Sequence, residues 1–260
     1  MKKNDMLVYK NKFKSINELF NLESSFQIIA GPCAVESIQQ MDQTAQLLVE
    51  NNLKFIRGGA YKPRTSPYDF QGLGLEGLKI LDQVRKKYGL IVVSEILDPR
   101  DLEIALNYVD VIQIGSRNMH NYSLLKEVGK TNHPVLIKRG MMATIDEFLN
   151  AAEYIVYNGN ANIILCERGI RTFENSTRNT LDISCIAIIK QKTSLPIIAD
   201  LSHSLGRTDI VFPVLKSVEA VGAEGVMLEL HPEPKKALSD QPQQLNHCEF
   251  TTVMKRFNGK

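Results

Sequence analysis

The 260-residue sequence has no run of 18 consecutive apolar residues, so no membrane-spanning helix is expected. Its first stretch, MKKNDMLVYKNKFKSINELF, is too polar to contain the apolar region of a secretory signal. Both absences point to a cytoplasmic protein with no membrane partner. Four cysteines are too few for a disulfide framework in a chain of this size, and in a reducing compartment they are expected as thiols or ligands. A net charge of +2 with no long basic run gives no ground for a nucleic-acid partner. No low-complexity tract or linker divides the chain.

What the chain does have is a recurrence. Eight short apolar runs, FQIIAGPC, KFIRGG, LIVVSE, VDVIQIGSR, HPVLIKR, NIILCER, LPIIADLSH and GVMLE, each stop at or near a polar or charged residue. Continuous Val/Ile/Leu runs of this length suit strands buried on both faces, as in a parallel sheet with helical crossovers. The segments between them carry helix punctuation. Ser37 and Gln40 have capping-box spacing, as do Thr144 and Glu147; Asp98-Pro99 reads as an N-cap followed by proline at the first helical position, and Asn158-Gly159 as a helix end. The fold expected is therefore α/β, a (β/α)8 TIM barrel in a single domain over residues 26–260. Residues 1–25 form a short N-terminal extension, expected as a strand or hairpin plugging the barrel bottom.

The functional end of such a barrel is its C-terminal rim. Arg57, Lys62, Arg64, Arg117, Lys138, Arg139 and Arg168 all fall at or after strand ends, and the arginines offer forked donors suited to phosphate and carboxylate. A mouth so basic calls for anionic ligands, although Glu95, Glu167 and Asp98 are rim carboxylates that could pair with some of these cations. A second constellation joins Cys33 after the first strand, His203 after the seventh, Glu229 after the eighth and Asp240 in the loop beyond. Barrel closure makes these strands neighbours. Thiolate, imidazole and two carboxylates suit one divalent Mn, Fe, Co or Zn ion and suit Mg or Ca poorly.

These residues carry a family resemblance. GPCAVES at 31–37, RGGAYKPRTS at 57–66, QIGSRN at 113–118, IKRG at 137–140, ILCERG at 164–169, DLSHS at 200–204, ELHPEP at 229–234 and SDQPQQL at 239–245 resemble, in order, the motifs of 3-deoxy-7-phosphoheptulonate (DAHP) synthase. The branch resembled is class I beta, of the DAHP/KDO8P synthase family. The resemblance implies a condensation of phosphoenolpyruvate with erythrose 4-phosphate that releases phosphate at the first step of the shikimate pathway. Arg117, Lys138 and Arg168 would then bind the phosphoenolpyruvate phosphate, Arg57 and Lys62 its carboxylate, and Arg64 and Thr65 the aldose phosphate, with Pro63 and Ser116 also among the substrate-binding residues. The metal ligands would be Cys33, His203, Glu229 and Asp240. Lys62 is the candidate general acid, and Glu95 the candidate group that orients or deprotonates the attacking water. Barrels of this family are commonly homodimers or homotetramers, and no segment here resembles the regulatory or chorismate mutase domains appended in some relatives.

Two rival readings remain. In 3-deoxy-octulosonate phosphate synthase the aldose is arabinose 5-phosphate and the second motif reads like KANRSS, whereas Pro63, Arg64 and Thr65 favour the shorter sugar. A barrel kept only to bind phosphosugars would have no need of the metal ligands and anion clamps together. Cys166 and Cys185 read as core thiols. His231, of the same strand parity as Glu229, is a candidate neighbour of the metal site, and His120, His133 and His247 read as rim, loop or surface residues.

Overall fold

The computed structural model describes residues 5–64 and 66–259. Eight parallel strands close into a barrel in chain order. They are β1 (Gln27–Gly31), β2 (Phe55–Arg57), β3 (Ile91–Glu95), β4 (Val111–Ile114), β5 (Val135–Lys138), β6 (Ile163–Glu167), β7 (Ile197–Asp200) and β8 (Gly225–Glu229). Pairing of β1 with β8, Gln27 opposite Gly225 through Gly31 opposite Glu229, shuts the cylinder. All eight apolar runs of the sequence are strands, and the (β/α)8 expectation holds.

Alternate residues of each strand serve two different cores, because successive side chains of a strand point to opposite faces. Ile29, Phe55, Val93, Val111, Leu136, Ile164, Cys166, Ile198 and Met227 fill the barrel interior. Their neighbours, among them Ile28, Ile56, Val92, Ile112, Val135 and Ile163, pack outward against the helices. This parity aims the chemistry. Two residues beyond the interior layer come Arg57 after Phe55, Glu95 after Val93, Gln113 after Val111 and Lys138 after Leu136. On β6, β7 and β8 Arg168 follows Cys166, Asp200 follows Ile198 and Glu229 follows Met227. Each polar group stands on the same inward face, one step nearer the C-terminal rim.

The helices of the outer layer are α3 (Ile38–Glu50), α4 (Leu75–Tyr88), α5 (Leu102–Ala105), α6 (Tyr122–Gly129), α7 (Ile145–Tyr157), α8 (Ile183–Lys192), α9 (Leu201–Leu205), α10 (Val211–Ala220) and α11 (His247–Phe257). Thr144 and Glu147 form the expected capping box of α7. Ser37 caps α3 by accepting from the Gln40 amide, but the Gln40 side chain serves the Glu36 amide instead of completing a box. Asp98 caps a turn of 3-10 helix, Pro99–Asp101, that leads into α5. No helix of the described residues is long and apolar enough to cross a membrane.

The amino-terminal extension corrects the expectation of a strand or hairpin. It forms two helical turns, α1 (Leu7–Lys10) and α2 (Ile16–Phe20). The cause is local: Ser15 and Glu18 make a reciprocal capping box that satisfies the first amides of α2. Ile16, Leu19, Phe20 and Leu22 reach the interior cluster, and the Phe20 ring meets Phe55 edge-on with centroids 5.1 Å apart. The turn is tied down by Glu224, which accepts from the Ile16 amide at 2.9 Å. It closes the end of the barrel opposite the charged rim. Ile16→Ala is therefore expected to lower unfolding free energy by about 2–4 kcal/mol in a denaturant titration, without disturbing the charged rim at the other end.

Candidate active site

The mouth is lined by Arg57, Lys62, Pro63, Arg64, Glu95, Ser116, Arg117, Lys138, Arg168, Arg178, His203 and Asp240, with Asp69, Gln113, Gly115 and Met141. Every candidate substrate-binding residue of the sequence lies here except Thr65, which falls outside the described residues. Two glycines are required by close approach. A Cβ on Gly31, at φ 153°, would stand 2.0 Å from the Arg57 carbonyl oxygen, and one on Gly115 would stand 2.0 Å from Glu95 Oε1. The first lets β1 and β2 meet beneath Cys33, and the second leaves Glu95 room to face the mouth.

The cations divide into those with a carboxylate partner and those without. Arg57 Nη1 donates to Glu229 Oε1 at 2.8 Å and to the Pro32 carbonyl at 2.7 Å, while its Nε is buried with no hydrogen-bond partner. Lys138 pairs with the buried carboxylate of Asp200. Arg64 meets Asp69 at 3.3 Å, where both are partly exposed and the pair is worth little. Lys62, Arg117 and Arg168 form no salt bridge with another described residue, although Lys62 and Arg168 are buried. Burial lowers the Arg168 guanidinium from its ordinary value, and nearby Arg178 adds to this against the pull of Asp200. Lys62 and Arg168 are thus buried without a direct carboxylate contact, acted on by Glu229 and Asp200 only from farther off, which leaves their donors available to an anion.

Three residues of the second constellation cluster, and the fourth, His203, stands beside two of them. Donor atoms of Cys33, Glu229 and Asp240 lie within 4.8 Å of one another. His203 Nε2 stands 3.6 Å from Glu229 Oε1 and 3.7 Å from Asp240 Oδ2. Cys33 Sγ lies 3.3 Å from Asp240 Oδ2 and 3.0 Å from Lys62 Nζ. Burial pushes the Cys33 thiol up to about 12, helped by Glu229 and opposed by Lys62. Burial also raises the Asp240 carboxyl, but Arg178, His203 and Lys62 outweigh it and hold the group at about 2. Glu229 is likewise held below its ordinary range, burial being outweighed by His203, Arg57 and Lys62. Burial lowers the His203 imidazole, against Asp200 and Glu229. Near neutrality these directions leave two carboxylates and one soft sulfur donor in a cluster with a neutral imidazole beside the carboxylates, a set whose chemistry fits a divalent transition metal.

Several residues of the site were missed in the sequence. Asp200, fully buried, caps α9 by accepting from the His203 amide at 3.0 Å and meets His203 Nδ1 at 2.8 Å. With a proton on Nδ1, Nε2 carries the lone pair toward the carboxylates. Its parity with Ile198 was the available signal. Arg178 lines the mouth from the loop after β6, 3.4 Å from Asp240 Oδ1. Gln243 donates to Glu229 Oε2 at 2.6 Å, Gln244 accepts from the Cys33 amide at 3.2 Å, and Gln113 donates to Glu95 at 3.3 Å.

Other candidates fall elsewhere. Arg139, counted among the rim cations, instead bonds Glu167 at 2.9 Å and Asp182 at 2.8 Å behind the barrel wall, because it has the opposite parity to Lys138. Cys166 belongs to the interior cluster and Cys185 to the outer core, as read. His231 does not join the metal-type site; its Nε2 faces Glu36 at 3.4 Å and its Nδ1 accepts from the Glu233 amide.

Fold and mouth together define a (β/α)8 barrel with a basic rim beside a quartet of metal-type donors. The sequence profile of the DAHP synthetase I family matches residues 19–258, and the chain belongs to that family. It is 57% identical over 221 residues to the phospho-2-dehydro-3-deoxyheptonate aldolase of Thermotoga maritima, covering 85% of this chain and 65% of that protein's length. A 2-dehydro-3-deoxyphosphooctonate aldolase of Acidithiobacillus ferrooxidans is 30% identical, covering 85% of this chain and 84% of that protein. The crystal structure of the Thermotoga DAHP synthase superposes with a TM-score of 0.87 at 53% identity, over 90% of this chain and 68% of that one. A truncated form of 3-deoxy-D-arabino-heptulosonate 7-phosphate synthase from the same organism gives 0.84 at 50% identity, over 90% and 86%.

Proposed function

We propose that the chain condenses phosphoenolpyruvate with erythrose 4-phosphate to give 3-deoxy-D-arabino-heptulosonate 7-phosphate and inorganic phosphate, using one divalent ion of Mn, Fe, Co or Zn. The observation that carries this reading is the meeting of two unlike constellations in one mouth. Unpaired buried cations ask for anions, and the two substrates together bring roughly four to five negative charges at about −1.5 to −2 per phosphate. Beside them stands a donor quartet that fits a Lewis-acidic metal. Higher identity to the relative named for the heptonate product supports the shorter aldose over arabinose 5-phosphate. From the resemblance alone we carry over a cytoplasmic homodimer or homotetramer.

In this reading Arg117, Lys138 and Arg168, with Ser116, grip the phosphoenolpyruvate phosphate, and Arg57 and Lys62 its carboxylate. Arg64 and Thr65, set by Pro63, hold the aldose phosphate. Cys33, His203, Glu229 and Asp240 hold the ion, which supplies Lewis acidity to the aldehyde. The chain's own groups then manage position and protons. The cations align C3 of phosphoenolpyruvate with the aldehyde carbon so that attack is effectively intramolecular. Burial lowers Lys62, but Cys33 and Glu229 more than offset it, so Nζ keeps the proton that it gives to the new hydroxyl. Glu95 takes a proton from the water that adds to C2, and the resulting hemiketal phosphate collapses by C–O cleavage.

Proton release on loading the metal tests the donor assignment. With Cys33 at about 12 and the other three donors held below their ordinary values, only the thiol has a proton to lose near pH 7.5. Affinity should therefore rise with pH throughout the range below the thiol's value. Calorimetry in buffers of different ionisation enthalpy is expected to give about one proton released per ion, and none from Cys33→Ala. Equal proton release from wild type and Cys33→Ala would remove the thiol from the ligand set.

A further inference from the structure

We propose that Arg178 is a positioning residue for the metal ligands, acting through Gln243 and Asp240; the inference rests on the metal-dependent reading above. Asp240 adopts the left-handed backbone conformation, φ 49° and ψ 38°, one that Asp and Asn enter more readily than other residues with a Cβ. Its two oxygens face different ways. Oδ2 stands within 3.3 Å of Cys33 Sγ and 3.7 Å of His203 Nε2, and Oδ1 stands 3.4 Å from Arg178 Nη1. The same nitrogen donates to Gln243 Oε1. That bond fixes the amide. With its oxygen toward Arg178, Gln243 must turn its NH2 toward Glu229, donating to Oε2 at 2.6 Å. Glu229 then keeps Oε1 on the side of His203, where it also accepts from Arg57 Nη1 at 2.8 Å. One guanidinium therefore touches both carboxylates of the quartet, Asp240 directly and Glu229 through Gln243, whose Nε2 also stands 3.5 Å from Asp240 Oδ2.

Arg178 is itself well placed to do this. Its amide donates to the Leu205 carbonyl at 2.9 Å, and the next residue, Asn179, donates to the carbonyls of Ser204 at 2.8 Å and His203 at 2.9 Å. The loop that brings the guanidinium is thus stitched to the short helix that carries His203. The Arg178 side chain is 38% exposed, so its truncation opens no core cavity. Groups that orient metal ligands typically change affinity by about 10- to 100-fold when removed.

The test is a Co(II) titration of the full chain freed of metal, followed by the absorption that a Cys33 thiolate bound to cobalt contributes, with a competing chelator to fix the dissociation constant. Arg178→Ala is expected to weaken Co(II) binding about 10- to 100-fold without moving the thermal midpoint of the metal-free protein. Arg178→Lys keeps the charge but not the planar fork, and should fall between. Gln243→Leu removes the arm that reaches Glu229 and should also weaken Co(II) binding, and the double variant should lose less than the sum of the two singles, because they share that arm. Co(II) affinity within twofold of wild type in Arg178→Ala, or additive losses in the double variant, would overturn the inference. If the alanine variant did not fold, wild-type affinity in Arg178→Lys would overturn it equally. Absence of cobalt binding by the wild type, or unaltered binding by Cys33→Ala, would instead sink the metal reading on which the inference stands.

Discussion

Cys33→Ala and His203→Ala are each expected to lower the rate of condensation about a thousandfold or more, ~4 kcal/mol of barrier, with no recovery on adding Mn, Co or Zn. Cys33 is the softest donor of the quartet, and its thiol lies 3.0 Å from the Lys62 ammonium, so in the proposed mechanism its removal disturbs both the ion and the acid. His203 is oriented by two bonds to Asp200, and nothing else in the mouth can replace its Nε2. Both side chains are small parts of the core, so circular dichroism and thermal midpoint should stay close to wild type. A strong chelator should silence the wild type, and a divalent transition ion should restore it. Full activity in a thoroughly demetallated preparation would refute the assignment.

The two anion sites should respond separately to neutralisation. Charge-assisted hydrogen bonds contribute roughly 1.5–3 kcal/mol, or about ten- to a hundredfold in affinity. Arg64 lies on the outer side of the mouth beside Pro63 and pairs weakly with Asp69, so Arg64→Ala should raise the Michaelis constant for erythrose 4-phosphate at least ~10-fold. Phosphoenolpyruvate binding, read by calorimetry, should change little. Arg168 is buried and has no salt-bridge partner among the described residues, so Arg168→Ala should do the reverse and with the larger effect. Equal losses for both substrates in both variants would leave the division of the mouth without support.

The barrel was legible because its strands are buried on both faces and therefore read as unbroken apolar runs. The rim was legible because strand parity is rigid: a polar residue two positions after Phe55, Val93, Leu136 or Met227 must face the mouth. The same rule, applied strictly, would have found Asp200 two positions after Ile198, and it would have sent Arg139 to the other face from Lys138. Arg178 obeys no such rule. Its place depends on a loop that folds back on α9 through backbone bonds to Ser204 and Leu205, a long-range pairing with no periodic trace in sequence. The N-terminal turn was misjudged for a simpler reason. The box of Ser15 and Glu18 outweighs the scattered apolar pattern around it.

Substrate choice and metal use can be read in one assay: inorganic phosphate released from phosphoenolpyruvate by metal-loaded protein, with erythrose 4-phosphate or arabinose 5-phosphate, with and without chelator. Release with erythrose 4-phosphate, little with arabinose 5-phosphate and none in chelator is the expected result. Preference for arabinose 5-phosphate, or undiminished release in chelator after complete removal of metal, would contradict it.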